Sequence, residues 1–137
     1  MYDRIYTALE RISKGDRAEL RRSSFDEIAN QVAFFRILKL SGCKDSHQTA
    51  RLVYLIIHTD IAVEGGACVG QALLDTGVNI RNIQQIVRSG DNSIVYLKRQ
   101  LIRCKSVSLK SVGELAQYWG DNARRNLMKD FILNQKD

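Results

Sequence analysis

The sequence predicts an all-α protein, and three features of the chain indicate this class. The 137 residues contain no proline, whose ring would interrupt the hydrogen bonds of a helix interior. Apolar residues recur at intervals of three and four, the spacing that places them on one face of a helix. Glycines and N-capping residues separate these stretches and divide the chain into about eight predicted helices. Hydrophobic residues make up 45% of the chain, which is enough to form a buried core.

The first half of the chain predicts three helices and one short helical turn. Gly15 ends the first helix, because glycine is common just after a helix C-terminus. Ser24 and Glu27 have the spacing of a capping box, which predicts that a long helix begins there. Ser46 is the predicted N-cap of the next long helix. The helices are predicted over residues 3–14, 25–40 and 47–63, and the short turn over residues 17–22.

Five further helices are predicted in the second half of the chain. Gly77 follows the first of them, and Asn79 is the predicted N-cap of the second. Either Ser108 or Ser111 is predicted to cap the fourth. The five helices are predicted over residues 67–75, 80–88 and 92–105, within residues 106–120, and over residues 122–134.

Residues 63–70, which read VEGGACVG, are the best predicted boundary, since they are small, glycine-rich and nearly uncharged. We therefore predict two packed helical-bundle lobes, an N-terminal lobe of residues 1–64 and a basic C-terminal lobe of residues 65–137. The length of the chain suits one domain or two small packed lobes. Neither a transmembrane helix nor a secretory signal is predicted, because no apolar run is long enough.

The positive charge of the chain is concentrated in its second half. Lysine and arginine total 21 and aspartate and glutamate total 15, which gives a formal net charge of +6. Residues 1–64 carry a net charge of +1, whereas residues 65–137 carry +5. Between residues 81 and 110, seven Lys or Arg side chains accompany a single acid, Asp91. Such asymmetry predicts an anionic partner, either a nucleic acid or an acidic protein or membrane surface.

The predicted helix over residues 92–105 separates an apolar stripe from a cationic face. At about 100° per residue, four residues fall on one side, which we expect to face the core. These four are Ile94, Leu97, Leu101 and Cys104. Tyr96, Arg99 and Arg103 fall on the opposite side, and Lys98 and Lys105 lie at one flank of the stripe. Arginine forks match phosphate geometry, and a neighbouring ring can stack on a base.

Two further basic groups stand outside this helix. Arg21 and Arg22 are adjacent, so they point in directions one helix step apart and cannot both be buried. Arg124 and Arg125 follow soon after the aromatic pair Tyr118–Trp119. That pair could stack a base, although such pairs more often anchor core packing at a helix end.

The sequence predicts a protein that is not an enzyme. Motifs of P-loops, nucleophile elbows, zinc proteases and dinucleotide-binding folds are all absent. His58 is predicted to be a packed or partly exposed helix residue, and Asp60 and Glu64 to be a solvated pair on one helical face. The three cysteines and two histidines lack metal-ligand spacing, so we predict no metal and no cofactor. Reduced cysteines of this kind indicate a cytoplasmic protein.

Four stretches of the chain, in this order and spacing, resemble those of one family. They read GDRAELRRSS, FFRIL, VGQALLDTGVNIRNIQQIVRSGDNSIVYLKRQLIRC and LAQYWGDNARRNLMKDFIL. Together they resemble the small subunit of Cascade, the type I-E CRISPR surveillance complex (the CasB family). The resemblance covers about residues 7–134 of this chain.

The resemblance implies an all-helical, non-enzymatic protein of two bundled lobes without a cofactor. It implies two copies, arranged head to tail along the belly of a guide-RNA complex, in contact with the other Cascade subunits. It also implies a basic surface that braces the hybrid of guide RNA and target DNA and holds the displaced DNA strand. These contacts are made to the nucleic-acid backbone, independently of sequence, and a separate nuclease-helicase then cuts the DNA.

The resemblance also points to particular residues. The two arginines of the family's basic LRR motif match Arg21 and Arg22, and the arginine of its LIR motif matches Arg88. The basic pair of its LRRLL motif matches Lys98 and Arg99. Arg103 and Lys105, the other cations of the predicted helix, and Arg124, the first arginine after the W-G pair, are added to these residues. The predicted nucleic-acid-binding residues are Arg21, Arg22, Arg88, Lys98, Arg99, Arg103, Lys105 and Arg124.

Two alternatives remain open from the sequence. Residues 77–90 could carry the recognition helix of a stand-alone helical DNA-binding regulator, because polar side chains lie on its predicted surface. The chain could instead be a basic protein-interaction adaptor. A regulator should find a specific duplex by itself, whereas an adaptor should not bind polynucleotide in a salt-sensitive manner.

Overall fold

The structure is a computed structural model that describes residues 2–136. Within these residues the chain forms ten α-helices, one short 3-10 helix and two strands of two residues each. The prediction of an all-α fold is therefore confirmed. In chain order the elements are α1 (Tyr2–Arg11), α2 (Lys14–Arg22), α3 (Phe25–Ile28), α4 (Val32–Ser41), α5 (His47–Ile56), β1 (Ile61–Ala62), α6 (Val69–Asp75), α7 (Ile80–Arg88), the 3-10 helix Gly90–Asn92, α8 (Ser93–Leu101), β2 (Val107–Ser108), α9 (Leu109–Gln117) and α10 (Asp121–Leu133).

The prediction of a single helix over residues 25–40 is wrong, because this segment forms α3 and α4. Gln31 has an extended backbone, with φ −82° and ψ 144°, and is the N-cap of α4. The side chain of Ser24 makes no capping hydrogen bond. The carboxylate of Glu19, on α2, instead accepts a hydrogen bond from the N–H of Ala33 at 3.2 Å. A negative charge from a neighbouring helix thus stabilises the N-terminus of α4.

The predicted helix over residues 47–63 ends early, at the C-terminus of α5. The hydroxyl of Thr59 donates a hydrogen bond to the carbonyl of Leu55 at 2.6 Å, which satisfies one of the free carbonyls of the helix end. The chain then forms β1 instead of another helical turn. Asp60 and Glu64 therefore do not share a helical face, and that prediction is wrong as well.

Strands β1 and β2 pair in parallel and join segments that are far apart in the sequence. Ile61 is opposite Val107 in this pairing. The N–H of Val107 donates to the carbonyl of Asp60 at 2.9 Å, and the Asp60 carboxylate accepts from the N–H of Ser106 at 3.0 Å. The glycine-rich segment after α5 is thereby held against the turn that precedes α9.

Capping residues place the helices of the second half close to their predicted positions. Asn79 caps α7, and its side chain and that of Asn82 form a reciprocal capping box. Ser108, one of the two predicted caps, accepts a hydrogen bond from the N–H of Ser111 and caps α9. The helix predicted over residues 92–105 is shorter, because a 3-10 turn precedes α8 and a non-helical turn follows it.

Replacing Asn79 with alanine is expected to lower the free energy of unfolding by about 1 kcal/mol, because α7 loses its capping box. Urea unfolding followed by circular dichroism measures this loss. The matched control is Gln85→Ala, an exposed position on the same helix whose side chain caps nothing, and it should stay within about 0.5 kcal/mol of the natural chain. Equal losses of unfolding free energy in the two variants would contradict the assignment of Asn79 as the cap of α7.

Helix α5 lies at the centre of the fold, where it packs against α1, α3, α8 and α9. All six residues from 52 to 57 are buried, so the end of this helix is apolar all round. Helix α5 precedes the predicted boundary at residue 64, whereas α8 and α9 follow it. The hydrophobic core therefore runs across that boundary, and the division into two lobes stays a prediction.

Candidate nucleic-acid interface

Helix α8 has the buried stripe and the exposed cationic face that its sequence predicts. The stripe residues Ile94, Leu97, Leu101 and Cys104 are each at most 2% exposed. Arg99 and Arg103 are exposed. The Arg99 guanidinium lies 5.2 Å from the centroid of the Tyr96 ring, and Nη1 of Arg103 donates to Oε1 of Gln100 at 3.3 Å. The two guanidinium groups thus lie on α8 and on the turn that follows it. The opposite side of this segment is anchored in the core.

Lys98, at the flank of the stripe, is buried against α5. It is 6% exposed, and its Nζ lies 3.9 Å from the centroid of the Tyr54 ring. None of the ion pairs within residues 2–136 involves Lys98. Burial lowers the pKa of its ammonium from 10.5 to about 8. Tyr54 covers the side chain of Lys98, and a role of Lys98 in binding stays a prediction.

Arg21 and His58 complete a group of basic side chains around Lys98. Burial lowers the pKa of His58, and the charges of Lys98 and Arg21 lower it further. Burial raises the pKa of the Tyr54 hydroxyl, and the charge of Arg99 acts in the opposite direction. Lys98 and Arg21 are thus close enough to His58, and Arg99 close enough to Tyr54, for their charges to act there. We call Arg21, His58, Lys98 and Arg99 the basic cluster.

His58 is the member of the basic cluster that sequence reasoning missed. Its ring is half-buried just after α5, and Nδ1 is buried without a hydrogen-bond partner. Leaving a buried polar atom unpaired costs about 1–3 kcal/mol. The one signal in the sequence is the spacing of four from Tyr54, which puts both residues on one side of the helix predicted over residues 47–63.

Arg124 is held against the aromatic ring that precedes it in the sequence. Its side chain is only 12% exposed and forms an ion pair with Asp121. Its guanidinium lies 5.9 Å from the centroid of the Trp119 ring, whose Nε1 donates to Oγ of Ser93 at 2.9 Å. The Nε atom of Arg124 is buried without a hydrogen-bond partner. Arg124 is therefore part of a structured pocket rather than a freely solvated cation.

The remaining predicted residues are exposed at the ends of elements. Arg22 and Arg88 lie in the last turns of α2 and α7, and Lys105 lies in the turn before β2. Across the part of the chain that the structure describes, no hydrogen bond, ion pair or ring contact joins them to the basic cluster. Among the predicted residues, Arg21 and Lys98 both act on His58, and Lys98 and Arg99 both act on Tyr54.

Between residues 2 and 136, no three His, Cys, Asp or Glu side chains are grouped so that they could hold a metal ion. In the same range, no helix combines the length and apolar character needed to cross a bilayer. Cys43, Cys68 and Cys104 are free thiols.

The described residues form an all-α protein in which exposed arginines lie on and just after α8. The fold is similar to one chain in the crystal structure of E. coli Cascade bound to a PAM-containing double-stranded DNA target, with a TM-score of 0.83 and 27% sequence identity. The match covers 94% of this chain and 92% of that chain. It confirms the resemblance to the Cascade small subunit that the sequence motifs indicate. No protein-family model and no curated protein sequence matches the chain.

Proposed function

We propose that this chain is a non-catalytic small subunit of a cytoplasmic, Cascade-type RNA-guided complex. The observation that carries the proposal is its similarity, over 94% of its length, to a chain of E. coli Cascade bound to target DNA. In this role the chain contacts the other Cascade subunits and a second copy of itself, head to tail. It braces the hybrid of guide RNA and target DNA and stabilises the displaced strand of the R-loop.

The energetics of R-loop formation explain why such a subunit needs cations and no catalytic group. The hybrid that forms is about as stable as the DNA duplex that it replaces, so small protein contacts tip the balance. Those contacts must serve any target sequence. Contacts of cationic side chains with the phosphates of the strand do so, whereas hydrogen bonds to base edges depend on the sequence. A rigid surface with exposed guanidinium groups meets both requirements.

The position of Arg99 and Arg103 supports this role. The helix that carries them is anchored by Leu97 and Leu101, which are fully buried. Neither arginine forms an ion pair with a carboxylate within residues 2–136. Their charge is therefore available to phosphates, and little conformational entropy of the backbone is lost when a strand binds.

The test is target-DNA binding by the assembled complex across a salt series, with this subunit, without it, and with the double variant Arg99→Ala/Arg103→Ala. We expect the double variant to bind more weakly, to a similar degree for different target sequences. Losing two phosphate contacts should lower the slope of log affinity against log salt by about two. Omitting the subunit should flatten the slope further and shorten the lifetime of the R-loop.

Arg11→Ala/Lys39→Ala is the matched control, since it removes the same charge from two exposed positions on α1 and α4, outside the predicted set. An unchanged slope for the Arg99 and Arg103 variant, or an equal decrease for the control, would overturn the proposal. Tight binding of one specific duplex by the free chain would favour a stand-alone regulator instead. An absence of salt-sensitive polynucleotide binding would favour a protein-interaction adaptor.

A further inference from the structure

A pocket of about 400 Å³ opens where α3, α5, the 3-10 turn, the start of α8 and the start of α10 meet. This volume lies in the range of about 300–1,000 Å³ that is usual for small-molecule sites. Two aromatic residues, Phe25 and Trp119, line it together with Arg51 and Arg124. We call it the Trp119 pocket.

The two aromatic rings of the Trp119 pocket are held in place by contacts to other residues. The indole Nε1 of Trp119 donates to Oγ of Ser93 at 2.9 Å, and the Trp119 carbonyl accepts from Nη1 of Arg51 at 3.2 Å. The ring of Phe25 packs against that of Tyr54, with 5.3 Å between their centroids. Fixed rings offer a planar ligand a stacking surface at a small cost in side-chain entropy.

The polar side chains of the pocket balance in charge. The guanidinium groups of Arg51 and Arg124 are matched in number by the exposed carboxylates of Asp26 and Asp91, and the imidazole of His47 completes the polar lining. The pocket therefore has little net attraction for a phosphate by itself, but it offers both donors and acceptors. Nε of Arg124 is buried and donates to no residue. A flat, neutral ring with hydrogen-bonding edges suits this combination, and a nucleobase is such a ring.

The location of the pocket connects it to the cationic surface. Phe25 lines the pocket, and its ring packs against the ring of Tyr54. The ammonium of Lys98 in turn lies over the ring of Tyr54. Two ring contacts thus join the pocket to the basic cluster. Stacking there would be tolerant of sequence, because every base has a π-face.

We propose that the Trp119 pocket binds one unstacked nucleobase of a single strand whose backbone lies on the basic cluster. This inference rests on the proposed function, since it requires that the chain binds a nucleic-acid strand. It adds a base-stacking contact to a surface that is otherwise described by charge alone.

The chain contains one tryptophan, so its intrinsic fluorescence reports on this pocket. At low salt, the full chain is titrated with a thymidine oligomer of about twelve nucleotides and with an abasic oligomer of equal length and charge. We expect the thymidine oligomer to quench the fluorescence and to bind about five- to one-hundred-fold more tightly than the abasic one. Phe25→Leu, which keeps the reporter, should reduce both the quenching and the difference in affinity.

Tyr118→Leu is the control, because Tyr118 is 69% exposed beside Trp119 but does not line the pocket. It should leave both measurements unchanged. Equal binding of the two oligomers without base-dependent quenching would overturn the pocket assignment and leave the proposed function in place. Failure of both oligomers to bind the free chain and the assembled complex would overturn both proposals.

Discussion

Replacing Gly66 with alanine is expected to lower the free energy of unfolding by about 2–5 kcal/mol. Gly66 has φ +81°, a left-handed backbone that costs other residues about 1–2 kcal/mol. A Cβ atom at this position would also lie 2.7 Å from the carbonyl oxygen of Ser106 and 2.8 Å from Cβ of Ala62. Because one of these atoms is backbone, the pairing of β1 with β2 must shift, which adds about 1–3 kcal/mol. Urea unfolding at constant pH measures the total.

The neighbouring glycine provides a matched control for the effect of close contact. Gly65 has φ +68°, but a Cβ atom there would meet nothing within 4 Å. Gly65→Ala should therefore cost only the backbone strain of about 1–2 kcal/mol. If the two variants were equally destabilised, the close approach of Gly66 to the segment 106–108 would carry no energetic weight.

The contact at Gly66 also bears on the candidate interface. The segment 60–67 is bonded to residues 106–108, which directly follow the turn that bears Arg103 and Lys105. A loosened pairing would free that turn as well as the start of α9. The parallel pair β1–β2 is therefore a structural support for two of the predicted binding residues, although neither strand touches a ligand.

Capping residues made most of the helix positions predictable from the sequence. Asn79 and Ser108 cap the helices that follow them, as their side chains predict. The break at Gln31 was not predictable in this way, since the carboxylate that stabilises it belongs to Glu19 on another helix. The strand β1 did leave a local signal, because the β-branched residues alternate with other residues over 57–63. The helical spacing of the apolar residues before it, however, predicts that the helix continues to residue 63.

The candidate site was predictable to the extent that it depends on a single helix. The period of 3.6 residues exposes Arg99 and buries Leu97, and both are found so. It does not show that Tyr54 covers Lys98, because that contact joins α5 and α8. The pocket beside Trp119 likewise depends on tertiary packing, and no local pattern in the sequence predicts it.

Replacing Lys98 with methionine is expected to raise the free energy of unfolding by about 1–2 kcal/mol at pH 7. Burial lowers the pKa of Lys98 from 10.5 to about 8, which corresponds to a cost of about 3 kcal/mol for the charged folded state. The contact of its Nζ with the Tyr54 ring offsets about 1–2 kcal/mol of that cost, and methionine loses it. Methionine fills a similar volume and needs no hydration.

The pH dependence of stability distinguishes this mechanism from simple repacking. Below about pH 8 the folded and unfolded chains both hold the proton on Lys98, so its full cost is present. Between about pH 8 and 10.5 the unfolded chain holds that proton and the folded chain does not, so stability rises with pH. The advantage of Lys98→Met should therefore be constant below pH 8 and should shrink towards pH 10.5. Arg99→Met, at an exposed position on the same helix, should show no such trend.

A stabilising effect of Lys98→Met would mean that the fold keeps a buried cation at a cost to its own stability. Such a cost is common at binding sites, where charge is placed for a ligand rather than for the core. The assembled complex then separates the two roles. Weaker target binding by a more stable variant would assign Lys98 to the strand-binding surface, together with Arg21 and Arg99. Unchanged binding would limit that surface to the exposed arginines, and a loss of stability would show that the contact with Tyr54 outweighs the cost of burial.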